Sequence, residues 1–151
     1  MENFKDLEYQ KVFVCLDGSE QQRPVLKRAA IVAANNHAAL IIGHVVDVTP
    51  FESFEAAEAE QALEAKESEF RASIADALKL IGESDQIPSV EVIIERGRIR
   101  ETLKDKMLDT IEPDMVVCGA RGLSSIKYAL LGSISTFLLR NCDCDILVVK
   151  K

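Results

Sequence analysis

Five apolar runs of strand length punctuate the chain, at 11–16, 39–46, 90–94, 115–119 and 146–149, and helical spacing fills the gaps between them. This alternation constrains the fold more than any single residue does. A strand that follows a helix must cross back over its sheet to pair in parallel, and such crossovers are right-handed. The run at 39–46 is apolar almost throughout rather than alternating, as a strand covered on both faces requires. The pattern predicts an α/β fold, a doubly wound five-stranded parallel sheet with helices on both faces. A length of 151 residues suits one domain, 1–151, with a core that needs no staples.

The helical segments are legible in turn. Val25, Leu26, Ala29, Ala30 and Ala33 share a face, closed by Asn35-Asn36-His37. A longer stretch, 51–81, is amphipathic in its second half through Leu63, Phe70, Ile74, Ala77, Leu78 and Ile81. Its first half holds Glu52, Glu55, Glu58, Glu60, Glu64, Glu67 and Glu69 without a histidine, which reads as a solvated face and not as a metal site. Ile99, Leu103 and Met107 mark the next helix, ended by Pro113, and 133–141 forms the last.

A formal net charge of −7 argues against nucleic acid, whose phosphates demand a basic face. No apolar run is long enough to span a bilayer, and the polar start at 1–10 does not read as a secretory leader. The expectation is a cytoplasmic protein with its four cysteines reduced.

Such sheets hold ligands at the carboxyl ends of their strands, where strand order reverses. With five strands the reversal separates the first from the fourth. Two polar turns converge there, Asp17-Gly18-Ser19 and Gly119-Ala120-Arg121-Gly122, and Gly132-Ser133 opens the last helix. In pattern form the second element is G-x2-G-x9-G-S. Gly119 and Gly122 permit a positive φ and close ligand approach, while the N–H groups of Gly132, Ser133 and Ile134 can face an anion. Arg121 and Lys127 are candidate phosphate cations, although solvated surface charge explains them equally well. Asp17 repels phosphate, so its ligand role belongs at a sugar hydroxyl or an exocyclic amine. Asp17 or Ser19 also serves as a cap for the first helix.

Other polar residues read more plainly. His44, inside a strand, is a satisfied structural histidine, and His37 is exposed. Cys142-Asp143-Cys144 alone is poor evidence for a metal. Cys15 and Cys118 end neighbouring strands, where a redox-sensitive pair is conceivable against the usual inertness of buried thiols.

Taken together, these motifs resemble the universal stress protein family. The likeness spans nearly the whole chain, from Lys11-Val12-Phe13-Val14 through Asp17-Gly18-Ser19 and Gly43-His44-Val45-Val46 to Leu131-Gly132-Ser133 and Ile146-Leu147-Val148-Val149. In that family G-x2-G-x9-G-[ST] is the ATP-binding signature, here complete. The resemblance implies a Rossmann-like sheet of order 3-2-1-4-5 and a bound ATP, ADP or AMP, with Mg2+ riding on the phosphates. It places Asp17 near adenine and ribose and the Val45 backbone at the adenine edge. It sets Gly119 and Gly122 along ribose and phosphates, and Gly132, Ser133 and Ser135 on phosphate oxygens. It further implies a homodimer through the C-terminal strand, whose apolar edge invites pairing. Many relatives have Gly-x-Pro where this chain has Gly97-Arg98-Ile99, which predicts a freer, more basic turn.

The functional expectation is an adenine-nucleotide-binding stress sensor or regulator. The alternative is a slow ATPase or nucleotide-transferring enzyme on the same superfold. Asp17 is the one acid placed at the site, and no Walker-type lysine or Ser-Gly-Gly loop is present, so binding is favoured over turnover. With 5% aromatic residues, a flavin carrier is disfavoured.

Overall fold

The computed structural model describes residues 3–120 and 132–150, with Lys5 described by its backbone alone. Five parallel strands form one sheet: β1 (Lys11–Cys15), β2 (Ala39–Asp47), β3 (Val90–Gly97), β4 (Met115–Gly119) and β5 (Asp145–Val149). Their order is β3-β2-β1-β4-β5. Among the described residues, four longer helices join them: α1 (Gln22–Asn36), α2 (Ala56–Gly82), α3 (residues 99–111) and α4 (Ser133–Asn141).

Alternation along each strand decides which helices it meets. Val12, Val14, Leu40 and Ile42 point to one face, under Val25, Leu26 and Ala29 of α1 and Phe70 and Ile74 of α2. Phe13, Ile41, Val45 and Val116 point to the other, under Leu103 and Met107 of α3 and Leu138 of α4. Val12, Phe13 and Val14 are fully buried because β1 lies mid-sheet and both faces are covered. Each such side chain contributes roughly 1.5–3 kcal/mol relative to exposure.

The structure extends some sequence-based limits and shortens others. β3 runs to Gly97 rather than 94, since Glu95 and Arg96 pair in register with Val45 and Val46. An edge strand with one open side accepts charges that a central strand would reject. The long helix begins at Ala56, after a separate 3-10 turn at Thr49–Phe51 with Pro50 in its first positions. α3 is α-helical over Ile99–Thr102, widens to π spacing over Leu103–Leu108 and closes over Asp109–Ile111. Glu112 then turns left-handed at φ 50° before Pro113.

Candidate functional site

Chain order reverses at β1, which has β2 on one side and β4 on the other. A cavity of about 350 Å3 opens beyond the carboxyl ends of these strands. Asp17, Gln21, Gln22 and Val25 line it from the β1–α1 side, Val45 from β2, and Ile99 and Leu103 from α3. Cys118, Gly119 and the start of α4, from Gly132 to Ser135, complete the wall. Six of the expected residues therefore meet around one space: Asp17, Val45, Gly119, Gly132, Ser133 and Ser135. Arg121 and Gly122, like Lys127, lie outside the described residues.

The turn after β1 is built from short polar side chains. One Asp17 carboxylate oxygen, Oδ1, accepts from the Ser19 N–H at 2.9 Å and from the Ser19 hydroxyl at 2.7 Å. The expected helix cap is corrected here: α1 starts later, after Gln21, and has no side-chain cap, so Asp17 closes a local turn instead. Gly18 adopts φ +82°, the left-handed region, and a Cβ there would sit 3.4 Å from the His44 ring. Gly119 ends β4 in strand pairing opposite Val149, so among the described glycines that line or flank the cavity the left-handed one is Gly18, in the first turn.

The start of α4 also differs in detail from expectation. Gly132 is extended at φ −75° and ψ 170°, and its N–H is already donated to the Ala120 carbonyl. Ser135 is buried, and its hydroxyl donates to the Gly132 carbonyl at 2.9 Å, as does Thr136 at 3.0 Å. These hydroxyl protons hold the helix start together. What remains at the cavity is the exposed Ser133 side chain and the main-chain donors of the first turn, which no helix satisfies internally. Asp17 is the ionisable acid among the described lining residues, and no described cation joins it.

A family model, the universal stress protein family, matches residues 8–150. The chain belongs to that family. A universal stress protein relative from Staphylococcus saprophyticus is 26% identical over 144 residues, covering 95% of this chain and 85% of the relative. Among solved structures, universal stress protein UspA from Lactobacillus plantarum superposes with a TM-score of 0.82 at 20% identity, over 95% of this chain and 99% of that one. That likeness is one of fold. A universal stress protein solved in complex with cAMP superposes with a TM-score of 0.60 at 26% identity, over 95% and 98% of the two chains.

In this universal stress protein the residue that sequence reasoning missed is Gln22. It is 4% exposed, accepts the Gly18 N–H through Oε1 at 3.0 Å, and donates through Nε2 to the Ser73 hydroxyl of α2 at 2.8 Å. Ser73 passes its own proton to the Phe70 carbonyl at 2.6 Å. The signal was available: Gln22 continues the stripe of Val25, Leu26 and Ala29 toward the N-terminus, and a polar residue on a core stripe needs partners. His44 grips the same turn from below. Its Nδ1 donates to the Leu16 carbonyl at 2.8 Å, and its ring stacks on Phe70 at 4.1 Å, 5° from parallel. Burial lowers its pKa, against smaller opposing effects of the Leu16 carbonyl and Asp17. His44 is thus a satisfied structural histidine on the sheet face away from Val45.

The turn after β3 is tied down, contrary to expectation. Gly97 has φ +156°, and a Cβ on it would collide with the Thr102 hydroxyl. Arg98 pairs with Glu52 at 3.0 Å, and Ile99 lines the cavity. Cys15 and Cys118 fall on the rung beyond Val14 and Val117, on the same sheet face. Burial pushes their thiols up to about 12 and about 11, which makes them poor nucleophiles at neutral pH.

Proposed function

We propose that this universal stress protein binds an adenine nucleotide, ATP with ADP or AMP as alternatives, and works as a stress-response sensor or regulator. The observation behind this reading is the cavity at the reversal point, with a carboxylate at one end and a helix start at the other. Asp17 accepts from the ribose hydroxyls or the adenine amine, and the Val45 backbone borders the base. Gly119, with Arg121 and Gly122 beyond it, follows the sugar and the phosphates. The phosphates rest on the N–H groups of Ser133 and Ile134 and on the Ser133 hydroxyl. The buried Ser135 and the extended Gly132 shape that turn from behind. Each hydrogen bond to a charged oxygen adds about 1.5–3 kcal/mol, and the helix dipole adds up to ~2 kcal/mol. Mg2+ would travel on the phosphates. The cAMP complex of a 26% identical family member supports a cyclic or linear adenine nucleotide as the ligand class.

The proposal extends to assembly and setting. β5 is an edge strand in which Ile146, Leu147 and Val148 are half-buried, so a homodimer pairs these edges in a cytoplasmic protein of one domain. Among the described residues no helix is long and apolar enough to cross a membrane.

The test is mass spectrometry of nucleotide released from freshly purified protein, beside Gly132→Asp. The extended backbone at Gly132 accepts aspartate, which is a favoured helix-capping residue, so the variant should fold. Its carboxylate then occupies the anion position itself. Retained nucleotide in the wild type and none in the variant is expected; equal amounts in both would move the site elsewhere.

A further inference from the structure

Three hydrogen bonds run in one direction from the first turn of the cavity into α2. The Gly18 N–H donates to Gln22 Oε1 at 3.0 Å, Gln22 Nε2 donates to Ser73 Oγ at 2.8 Å, and the Ser73 hydroxyl donates to the Phe70 carbonyl at 2.6 Å. A main-chain N–H can only donate, and the Ser73 proton is already committed. The residue between them must therefore accept at one end and donate at the other. A carboxylate cannot donate and a lysine cannot accept; an uncharged carboxamide does both. The same stretch of α2 holds the turn from a second side, because Phe70 stacks on His44 and His44 donates to the Leu16 carbonyl. Leu16 and Gly18, the two neighbours of Asp17 in sequence, are thus both fastened to residues 70–73.

We propose that Gln22 is a positioning residue for sugar recognition: it holds the Asp17 carboxylate where it meets the ribose hydroxyls of the nucleotide. The inference rests on the nucleotide reading above and sharpens it, committing Asp17 to the ribose rather than to the adenine amine. Asp17 lines the cavity, and its Oδ1 is taken by the Ser19 N–H and hydroxyl. Among the described residues its Oδ2 accepts no hydrogen bond, which leaves that oxygen for the ligand. The Ser19 bonds fix the carboxylate relative to its own turn, but not the turn relative to the sheet. That second task falls on Gly18, whose φ of +82° lets the chain reverse and whose N–H is the handle that Gln22 grips. Hydrogen bonds weaken steeply as their angles worsen. A displaced turn therefore loses the ribose hydroxyls, while the apolar walls at Val45, Ile99 and Leu103, on other elements, stay in place. Gln22 acts through Asp17 and needs no ligand contact of its own.

The experiment measures, by calorimetry on full-length protein freed of nucleotide, the affinities for ATP and AMP, each beside its 2′,3′-dideoxy form. The readout is the ratio within each pair, which a general loss of stability or of binding leaves unchanged. Wild type should prefer the hydroxylated form by about tenfold or more, the scale of a hydrogen bond to a charged group. Asp17→Asn should lower that preference. Gln22→Met, close in size but with neither acceptor nor amide donor, should bring it within about threefold. Ser73→Ala leaves Gln22 its bond to Gly18 but removes its anchor, and should fall between. If Gln22→Met does not fold, the Ser73→Ala ratio decides. A wild-type ratio kept in both variants, even with both forms bound more weakly, would mean that Gln22 only packs; it would overturn the inference and leave the nucleotide site standing. Equal wild-type affinity for the two forms of each pair would also overturn it, by taking the sugar away from Asp17. No binding of ATP or AMP by wild type would overturn the nucleotide reading, and this inference with it.

Discussion

The two halves of α2 meet the sheet by opposite chemistries. In the first half Glu60 and Glu67 close on Arg96 of β3, at 2.7 Å each, with the arginine side chain 31% exposed. In the second half Phe70 and Ile74 are 3% and 2% exposed, Phe70 lies flat on His44, and Ser73 receives Gln22. Beside one buried leucine, Leu63, the first half is held by charges that water can screen; the second is held by burial and neutral hydrogen bonds. The half that shapes the Asp17 turn is the buried one. A helix of this length needs only a few core contacts to be fixed, and the charged half is then free to select its register along β3. The comparison makes three predictions, graded by how deeply each group is buried.

Phe70→Ala strikes the buried half and should cost the most. Large aromatic truncation in a core destabilises by about 3–5 kcal/mol, and here it also strips the His44 ring of its stacking partner. Urea denaturation should show the midpoint falling with its slope unchanged. A loss below about 1 kcal/mol, the range of an ordinary surface change, would break the comparison at its strong end.

His44 sharpens it next. The folded-state pKa of His44 lies below its ordinary 6.5, because burial disfavours the imidazolium. The unfolded chain therefore takes up a proton before the folded protein does. The His44 contribution is complete above the unfolded value and shrinks as pH falls through it. Thermal melts from about pH 8 down to about pH 5, a range that spans the ordinary histidine pKa, should show wild type losing stability on the acid side. His44→Gln, which keeps a donor for the Leu16 carbonyl, should show a flatter acid limb than wild type. Parallel profiles for the two proteins would mean that the ring protonates as freely folded as unfolded.

Legibility followed the same divide. Val12, Phe13, Val14, Leu40 and Ile42 announced a central parallel sheet because continuous apolar runs have few other uses. Phe70 and Ile74 announced the buried half of α2 by helical period. The meeting of Asp17, Val45, Gly119, Gly132 and Ser133 around one cavity was legible because topology brings strand ends together before any side-chain detail matters. Gln22 was not, since its value lies in partners that are four and 51 residues away. Nor was the clamp on Arg96: seven glutamates before and within α2 read as solvated, and only the extra length of β3 puts an arginine within reach of two of them. The roles of Gly132 and Ser135 were also hidden. A hydroxyl two residues into a helix looks the same in sequence whether it faces a ligand or its own backbone.

Arg96→Met tests the weak end. Methionine keeps much of the apolar stem while removing the charge and four hydrogen bonds, two to each glutamate. Glu60 and Glu67 are 53% and 28% exposed, so both can hydrate once the arginine is gone, which limits the loss. The melting temperature should fall by a small fraction of the Phe70→Ala effect. Its dependence on salt is the sharper readout. At ~1 M salt the screening length shrinks to about 3 Å, and the gap between wild type and variant should close. Phe70→Ala should keep its full deficit under the same conditions, because burial is not screened. An Arg96→Met deficit that persists in high salt would mean the guanidinium acts as a packed anchor. The two halves of α2 would then be held by the same physics, and the contrast between them would be one of residue type only.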